Sequence, residues 1–289
     1  MTDRRSPYLL LLVAVAFVSV GSVLVRLAQA PPLAVAFYRV TFATLLIAPV
    51  AWSDARRSLG SLAPKSRLLL VSSGVALALH FATWIASLSY TSIASSVLLV
   101  NTAPIFAVIL SRIFLHERVS KAVLGAIALA LVGAALIAGG DWGRSPSSLG
   151  GNVLAMAGAI TLAAYHVVGR GLRDALPLYA YILSVWAVAA LVLAAIAAAF
   201  GTPFAPYPPR TLLVLLVLGL VPTVLGHGLV NRALRSISAP TVGLFLLGEP
   251  VGASILAFLV FGEVPSVSTL AGGLVVLMAM GLVLLRREG

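Results

Sequence analysis

Residues 243–263 read GLFLLGEPVGASILAFLVFGE, a stretch that is long enough and apolar enough to cross a lipid bilayer. A carboxylate and a helix-breaking residue, Glu249 and Pro250, lie in its middle. A charged side chain at the centre of a bilayer costs about 3 kcal/mol or more, so such groups face a cavity or a partner rather than lipid. The stretch therefore predicts a membrane-spanning helix that is interrupted at a polar site.

The composition of the whole chain places this stretch in a membrane protein. Of 289 residues, 61% are hydrophobic and only 9% are charged, and the mean hydropathy is +1.11. Soluble domains carry about 25% charged residues, and a soluble fold of this size has too much surface to hide so many apolar side chains. The composition therefore indicates an integral membrane protein.

Ten apolar segments of spanning length follow one another along the chain. The links between them are short and often contain proline, as in AQAPP and TPFAPYPPR, so none of them holds a soluble domain. The segments lack the alternating pattern of barrel strands, which predicts an all-α integral membrane protein with ten transmembrane helices. The predicted spans one to ten are residues 7–28, 32–52, 67–88, 93–112, 119–138, 149–170, 177–200, 210–233, 239–261 and 265–285.

The positive charges predict the orientation of these spans. The net charge of +11 is distributed between apolar blocks rather than gathered in one patch, which favours the positive-inside rule over a nucleic-acid partner. With a cytoplasmic N-terminus, fifteen basic residues lie in inner loops and ends, against Arg144 and Arg210 outside. We therefore expect both termini in the cytoplasm and the protein in the cell membrane.

The N-terminus has some features of a secretory signal peptide. Arg4 and Arg5 precede an apolar run that ends in AQA at Ala28–Ala30. The run from Pro7 to about Val25 is long for a signal peptide, and its removal would break the repeat described next. We expect this segment to be retained as span one.

An internal repeat divides the chain into two halves. Pro104 and Pro250 are 146 positions apart, and so are Glu117 and Glu263. Each half holds five spans, an odd number, so the second half must be inverted relative to the first. Inverted repeats are typical of secondary transporters, which bind substrate near the midplane between the repeats. The repeat predicts two five-helix units, residues 1–140 and 141–289, around a central cavity.

Three stretches resemble a known family. FYRVTFATLLIAP in span two, the end of span four closing in LHERVS and the end of span nine closing in FGEVPS resemble the drug/metabolite transporter superfamily, EamA type. Within it, the ten-span exporters of amino acids, including aromatic ones, are the most similar branch. The resemblance implies alternating access through a cavity between two five-helix bundles, and it is the source of the expected export direction. Members of the family carry amino acids, metabolites, nucleotide sugars or drugs.

The depth of Glu249 makes it the first candidate for substrate binding. Span nine enters from the cytoplasm near Ala239, ten residues earlier, which is about 15 Å of helix and half of a hydrocarbon core of roughly 30 Å. Pro250 lacks a backbone donor, and Gly248 permits close approach. With Pro104 of span four, these two residues are the candidate hinge and cavity backbone. The alternative is a structural glutamate that pairs with an arginine beside a packing kink.

Four further polar or aromatic residues are candidates for substrate binding. Arg39 lies about 10 Å from the outer end of span two, and its fixed charge suits a carboxylate. His80 and Asn101 lie at a similar depth in spans three and four, and Trp84 follows His80 by one helical turn. Each also has a structural alternative: a pairing of Arg39 with Glu249 or carbonyls, helix–helix hydrogen bonds for His80 and Asn101, and core packing for Trp84.

Three other polar residues lie toward the inner ends of their spans. His166 is in span six, and His227 and Asn231 are in span eight. Both a position at the cytoplasmic mouth and a role in helix packing are compatible with the sequence.

The motifs expected of an enzyme or an ATP-driven pump are missing from the sequence. G-x-S-x-G, H-E-x-x-H, a P-loop and a metal-binding cluster do not occur, and the chain has no cysteine. We expect no catalysis, no cofactor and no metal. The sequence favours a carrier that moves small organic solutes, amino acids or related metabolites; a lipid or headgroup flippase and a channel-like pore are the alternatives. One chain holds both repeats, so a monomer suffices.

The topology predicts the location of both ends. A reporter that is active only in the cytoplasm should give a signal when fused to either terminus, because ten crossings return the chain to its starting side. Fusion after residue 144, in an outer loop, is the matched control and should be silent. A C-terminal fusion active only on the outer side would contradict the ten-span count.

Overall fold

The computed structural model describes residues 6–91, 93–139, 149–262 and 264–285. Within these ranges all regular structure is helical, which confirms the predicted all-α class. Among the described residues, nine helical segments are long and apolar enough to cross a membrane, and a tenth is apolar over the shorter stretch Lys121–Ile137. In chain order, the helices of spans one to ten are Ser6–Leu27; Pro32–Gly60; Pro64–Ser87; Ile93–Val100 with Ala103–Leu110; Lys121–Gly139; Leu149–Gly171; Leu178–Ala199; Pro209–Leu218 with Gly228–Ala233; Ala239–Leu246 with Glu249–Phe261; and Val267–Leu285.

Span two is longer than the sequence analysis predicts. Its helix ends at Gly60 instead of residue 52, and its 29 residues extend for about 43 Å. The additional turns carry exposed polar residues, and Arg57 donates a hydrogen bond to Asp54 one turn earlier, at 2.8 Å. Hydropathy identifies the part of a helix that matches the hydrocarbon, so it misses turns that continue into water.

Spans four and nine are broken at equivalent positions. The first half of span four ends at Val100 and that of span nine at Leu246, and the helices resume at Ala103 and Glu249. Each pair is separated by the 146-residue interval of the sequence repeat. A proline follows in the first turn of each second half, where its missing N–H is tolerated. The prolines therefore mark true helix breaks, as the sequence predicts for span nine, rather than the packing kinks that were the alternative.

Two further segments depart from α-helical geometry. Ser111–Leu115 ends span four, and Gly219–His227 joins the two α-helical parts of span eight; both are π-helical. Pro222 lies inside the second segment, where it cannot donate the hydrogen bond that a regular α-helix requires. Such π-helical segments are common at functional sites.

The contacts between the two halves follow a pseudo-two-fold symmetry. Span three lies along span six, and span eight lies correspondingly along span one. Span two packs against span seven, and span five against span ten, so each of these spans meets its own repeat equivalent. The spans of each half are thus packed mainly against the other half, and the centre of the molecule lies between them.

An ion pair joins the cytoplasmic ends predicted for the two halves. Glu117, a member of the sequence repeat, accepts a hydrogen bond from Arg170 Nε at 2.9 Å. Arg170 Nη1 also donates to the backbone oxygen of Leu234, at 3.1 Å. The equivalent Glu263 lies outside the described residues. Arg170 thereby connects the end of span four with the ends of spans six and eight.

Spans five and ten depend on glycine for their contact. A Cβ at Gly133 would lie 2.7 Å from the backbone oxygen of Gly272, whereas a Cβ at Gly125 of the same helix would meet nothing within 4 Å. Small residues permit such close approach of helices in membranes. The two backbones are in direct contact here, so an added side chain fits only if one of the helices moves.

Gly133→Ala should therefore lower the free energy of unfolding by about 1–3 kcal/mol, because the added methyl group separates the two backbones. Gly125→Ala is the matched control and should be neutral or slightly stabilising, since alanine favours the helix by up to about 1 kcal/mol. Thermal unfolding of both purified variants in one detergent measures the difference. Equal melting temperatures for the two variants would contradict the close contact.

Candidate functional site

A cavity lies where the broken spans meet the other half of the protein. Its volume is about 50 Å³. Its walls come from seven spans of both halves, so it is the central cavity expected of the repeat. The lining residues are Val18, Arg39, His80, Phe81, Trp84, Val100, Asn101, Ala103, Pro104, Ala107, Leu162, His166, His227, Gly243, Leu246 and Glu249.

The helix breaks shape two walls of the cavity. Asn101 follows the end of the first helix of span four, and Glu249 begins the second helix of span nine. The two spans cross closely, because a Cβ at Gly243 would lie 3.2 Å from the Cγ atom of Pro104. Each break thereby places a polar side chain on the cavity wall.

Arg39 is buried and held on two sides. Its side chain is only 1% exposed. Its Nε donates a hydrogen bond to Thr223 Oγ1 at 2.8 Å, and its guanidinium carbon lies 4.4 Å from the centre of the Phe81 ring, a cation–π contact. A buried charge requires such partners, and spans three and eight supply them.

Glu249 brings the opposite charge to the same cavity. It occupies the first turn of its helix, where the helix dipole favours a negative charge. Its backbone oxygen accepts a hydrogen bond from Ser19 Oγ at 3.2 Å. The ion pairs among the described residues do not include a direct pair between Arg39 and Glu249. The two charges therefore share the cavity without neutralising each other by contact.

His80 and Trp84 form one aromatic wall. Their rings are stacked, with centres 5.7 Å apart and an angle of 9° between the planes. The Nδ1 atom of His80 lies 3.0 Å from the backbone oxygen of Gly158, so this histidine also joins spans three and six. The Nε1 donor of Trp84 is buried and has no hydrogen-bond partner among the described residues. His80 thus helps to pack spans three and six together, and Trp84 has an N–H group that is available to donate a hydrogen bond.

The cavity includes residues that the sequence analysis missed or placed elsewhere. Phe81 connects Arg39 with His227, whose ring meets it edge-on at 5.8 Å. His166 and His227, which we considered for the cytoplasmic mouth or for packing, both line the cavity. Each has a buried ring nitrogen without a partner in the described part of the chain. Asn231 instead packs by donating to Tyr165 at 2.6 Å.

The three cavity histidines do not form a metal site. Within the described ranges, no group of three His, Asp or Glu side chains has the geometry to hold a metal ion.

Two of the predicted backbone residues lie next to the cavity but not on it. Pro104 is part of the lining, whereas Gly248 and Pro250 are buried outside it. Gly248 faces spans one and ten, where an added Cβ would meet Val15 and Met280. Successive helical residues point about 100° apart, so the turn that directs Glu249 into the cavity directs its neighbours away from it.

Two named proteins are similar in sequence. The pseudopaline exporter CntI of Pseudomonas aeruginosa is 28% identical over 277 residues, which cover 95% of this chain and 94% of that protein. A probable terminal-alkyne amino-acid exporter of Streptantibioticus cattleyicolor is 31% identical over 182 residues. This second match covers 61% of the chain and only 59% of that relative's length.

A structural comparison and a family match are consistent with the similarity to these two proteins. A solved crystal structure superposes with a TM-score of 0.83 over 97% of each chain, at 16% identity, which shows a shared fold. The model of the EamA-like transporter family matches residues 5–139 and again 149–285. The protein is therefore a member of the EamA-like transporter family, a multi-pass membrane transporter built from two copies of the family's repeat.

Proposed function

We propose that this protein exports amino acids or related metabolites through the central cavity by alternating access. The names of the two relatives, both exporters, support the direction and the class of solute. The two repeats, residues 1–140 and 141–289, are the units that move against each other. The protein acts in the cell membrane as a monomer, with both termini in the cytoplasm.

The arrangement of charge is the observation that carries this proposal. Arg39 and Glu249 line one cavity, come from different halves and make no direct ion pair with each other within the described residues. A solute with one carboxylate and one ammonium group matches both: Arg39 binds the carboxylate through its terminal nitrogens, and Glu249 faces the ammonium group. A zwitterion thereby compensates both charges at once.

The remaining lining suits an apolar side chain. Val18, Phe81, Leu162 and Leu246 are among the non-polar residues of the wall, while Asn101 and the histidines supply hydrogen bonds. The cavity has room for only a few water-sized molecules. Admission of an amino acid such as L-leucine or L-phenylalanine therefore requires the cavity to widen, as relative movement of the two halves allows.

Purified protein in liposomes tests the proposal. We expect saturable uptake and counterflow of L-leucine or L-phenylalanine in a panel of amino acids. Arg39→Ala and Arg39→Lys should each reduce this transport by about tenfold or more, because lysine lacks the planar fork that binds a carboxylate bidentately. Thermal unfolding of both variants controls for loss of folded protein.

The alternatives predict other outcomes. Uptake that never saturates and shows no counterflow would indicate a pore, and movement of labelled phospholipid without amino-acid counterflow would indicate a flippase. Normal transport by Arg39→Lys would reduce Arg39 to a simple counter-charge.

Glu249→Gln separates charge from shape at the second half of the site. The variant keeps the size and hydrogen-bonding capacity of the side chain, so its melting temperature should match that of the unchanged protein. Counterflow of L-leucine should fall by about tenfold, because the ammonium group loses a charged partner.

The matched control is Glu117→Gln, which removes a carboxylate from the ion pair with Arg170. It should lower the melting temperature more than it lowers transport by the folded fraction. Full stability, full uptake and an unchanged pH profile in Glu249→Gln would remove Glu249 from the mechanism.

A further inference from the structure

The hydrogen bond between Arg39 and Thr223 connects the two halves of the protein inside the membrane. Thr223 lies in span eight and is 1% exposed. Its Oγ1 accepts the proton of Arg39 Nε at a distance of 2.8 Å. The sequence analysis did not single out Thr223, because a threonine in an apolar span has no distinctive pattern.

A second hydrogen bond orients the hydroxyl group of Thr223. Thr223 Oγ1 also donates to the backbone oxygen of Leu218, at 3.0 Å. A hydroxyl group has one proton, so with that proton on Leu218 the lone pairs of Oγ1 face the guanidinium. The hydroxyl is thereby oriented to accept from Arg39.

The π-helical segment of span eight places the hydroxyl. Leu218 directly precedes the π-helical segment Gly219–His227. Thr223 lies inside this segment, five residues after Leu218 and directly after Pro222. In a regular α-helix a threonine hydroxyl bonds the carbonyl three or four residues earlier. The wider turn therefore gives Thr223 a bond and a direction that an α-helix would not provide.

The two contacts of Arg39 leave its terminal nitrogens for a ligand. Thr223 occupies Nε, and the ring of Phe81 covers one face of the guanidinium. Among the described residues, neither terminal nitrogen of Arg39 has a hydrogen-bond or ion-pair partner. With Nε occupied, these two nitrogens remain as the pair that can bind a carboxylate bidentately in the plane of the guanidinium.

We propose that Thr223 is the positioning residue that holds the plane of the Arg39 guanidinium so that both terminal nitrogens face the carboxylate of the transported solute. This rests on the proposed function of the cavity. Without the hydroxyl, the guanidinium can rotate on the face of Phe81, and the bidentate geometry is lost while the charge stays. Thr223 thus determines how well the site recognises a carboxylate, and span eight of the second half controls a binding group of the first.

Liposome transport of two probes tests this role. L-leucine carries the carboxylate, and L-leucinamide replaces it by a neutral amide. Thr223→Val preserves the shape of the side chain without its hydroxyl, and we expect it to raise KM for L-leucine by about tenfold with little change in the maximal rate. The KM for L-leucinamide should stay within about twofold, and Thr223→Ser should restore the KM for L-leucine.

A second measurement reports the environment of Arg39 Nε in the absence of any solute. In ¹⁵N-arginine-labelled protein, the resonance that disappears in Arg39→Lys identifies Arg39 Nε. Thr223→Val should shift this resonance and speed its exchange with water, whereas Thr223→Ser should leave it in place. Thr44→Val is the matched control, since Thr44 lies on the same span as Arg39 and, among the described residues, its hydroxyl bonds only the backbone oxygen of Val40; neither KM nor the resonance should change.

The possible outcomes separate this proposal from the proposed function. An unchanged Arg39 Nε resonance in Thr223→Val, an unchanged KM, or equal increases in KM for both probes would overturn the positioning role. If the unchanged protein shows no counterflow of L-leucine, the proposed function fails, and the resonance alone then decides whether Thr223 orients Arg39.

Discussion

The positive charge of Arg39 is held almost completely away from water, and the centre of the protein is arranged around that constraint. An arginine does not lose its proton in a protein, so the surrounding structure must compensate the charge. A hydroxyl from span eight, an aromatic face from span three and a shared cavity with Glu249 of span nine provide this compensation. The four spans therefore converge at one point, and the cavity forms where they meet.

A second constraint concerns the backbone. Peptide groups that leave a helix within a membrane need partners, so irregular backbone is tolerated only inside protein or beside a polar cavity. Both helix breaks meet this condition, since residues on either side of each break line the cavity. The same breaks bring Asn101 and Glu249 into position on the cavity wall. The helix breaks and the polar lining of the cavity therefore have a common origin, because each break positions a polar side chain.

The sequence predicts the fold far better than it predicts the site. Composition and hydropathy suffice for ten helices because hydrocarbon imposes spanning length and internal hydrogen bonding on every segment. Depth along a helix is equally simple, which is why Arg39, His80, Trp84, Asn101 and Glu249 are found on one cavity. The direction of a side chain around its helix depends on packing and on breaks, so the positions of Gly248 and Pro250 outside the lining were not predicted. The π-helical segment of span eight has no sequence signal beyond a proline, and Thr223 was missed with it.

The 146-residue interval has an evolutionary consequence. Glu249 corresponds to Ala103 in the other repeat, and span seven, the repeat equivalent of the span that carries Arg39, contains no arginine. A pair of identical five-helix chains related by a two-fold axis would place two copies of each charge, or none, around the central cavity. Once both repeats belong to one chain, each can diverge independently, and a single arginine can face a single glutamate. Fusion of duplicated halves is therefore the step that permits a site of mixed charge for a solute that is itself asymmetric.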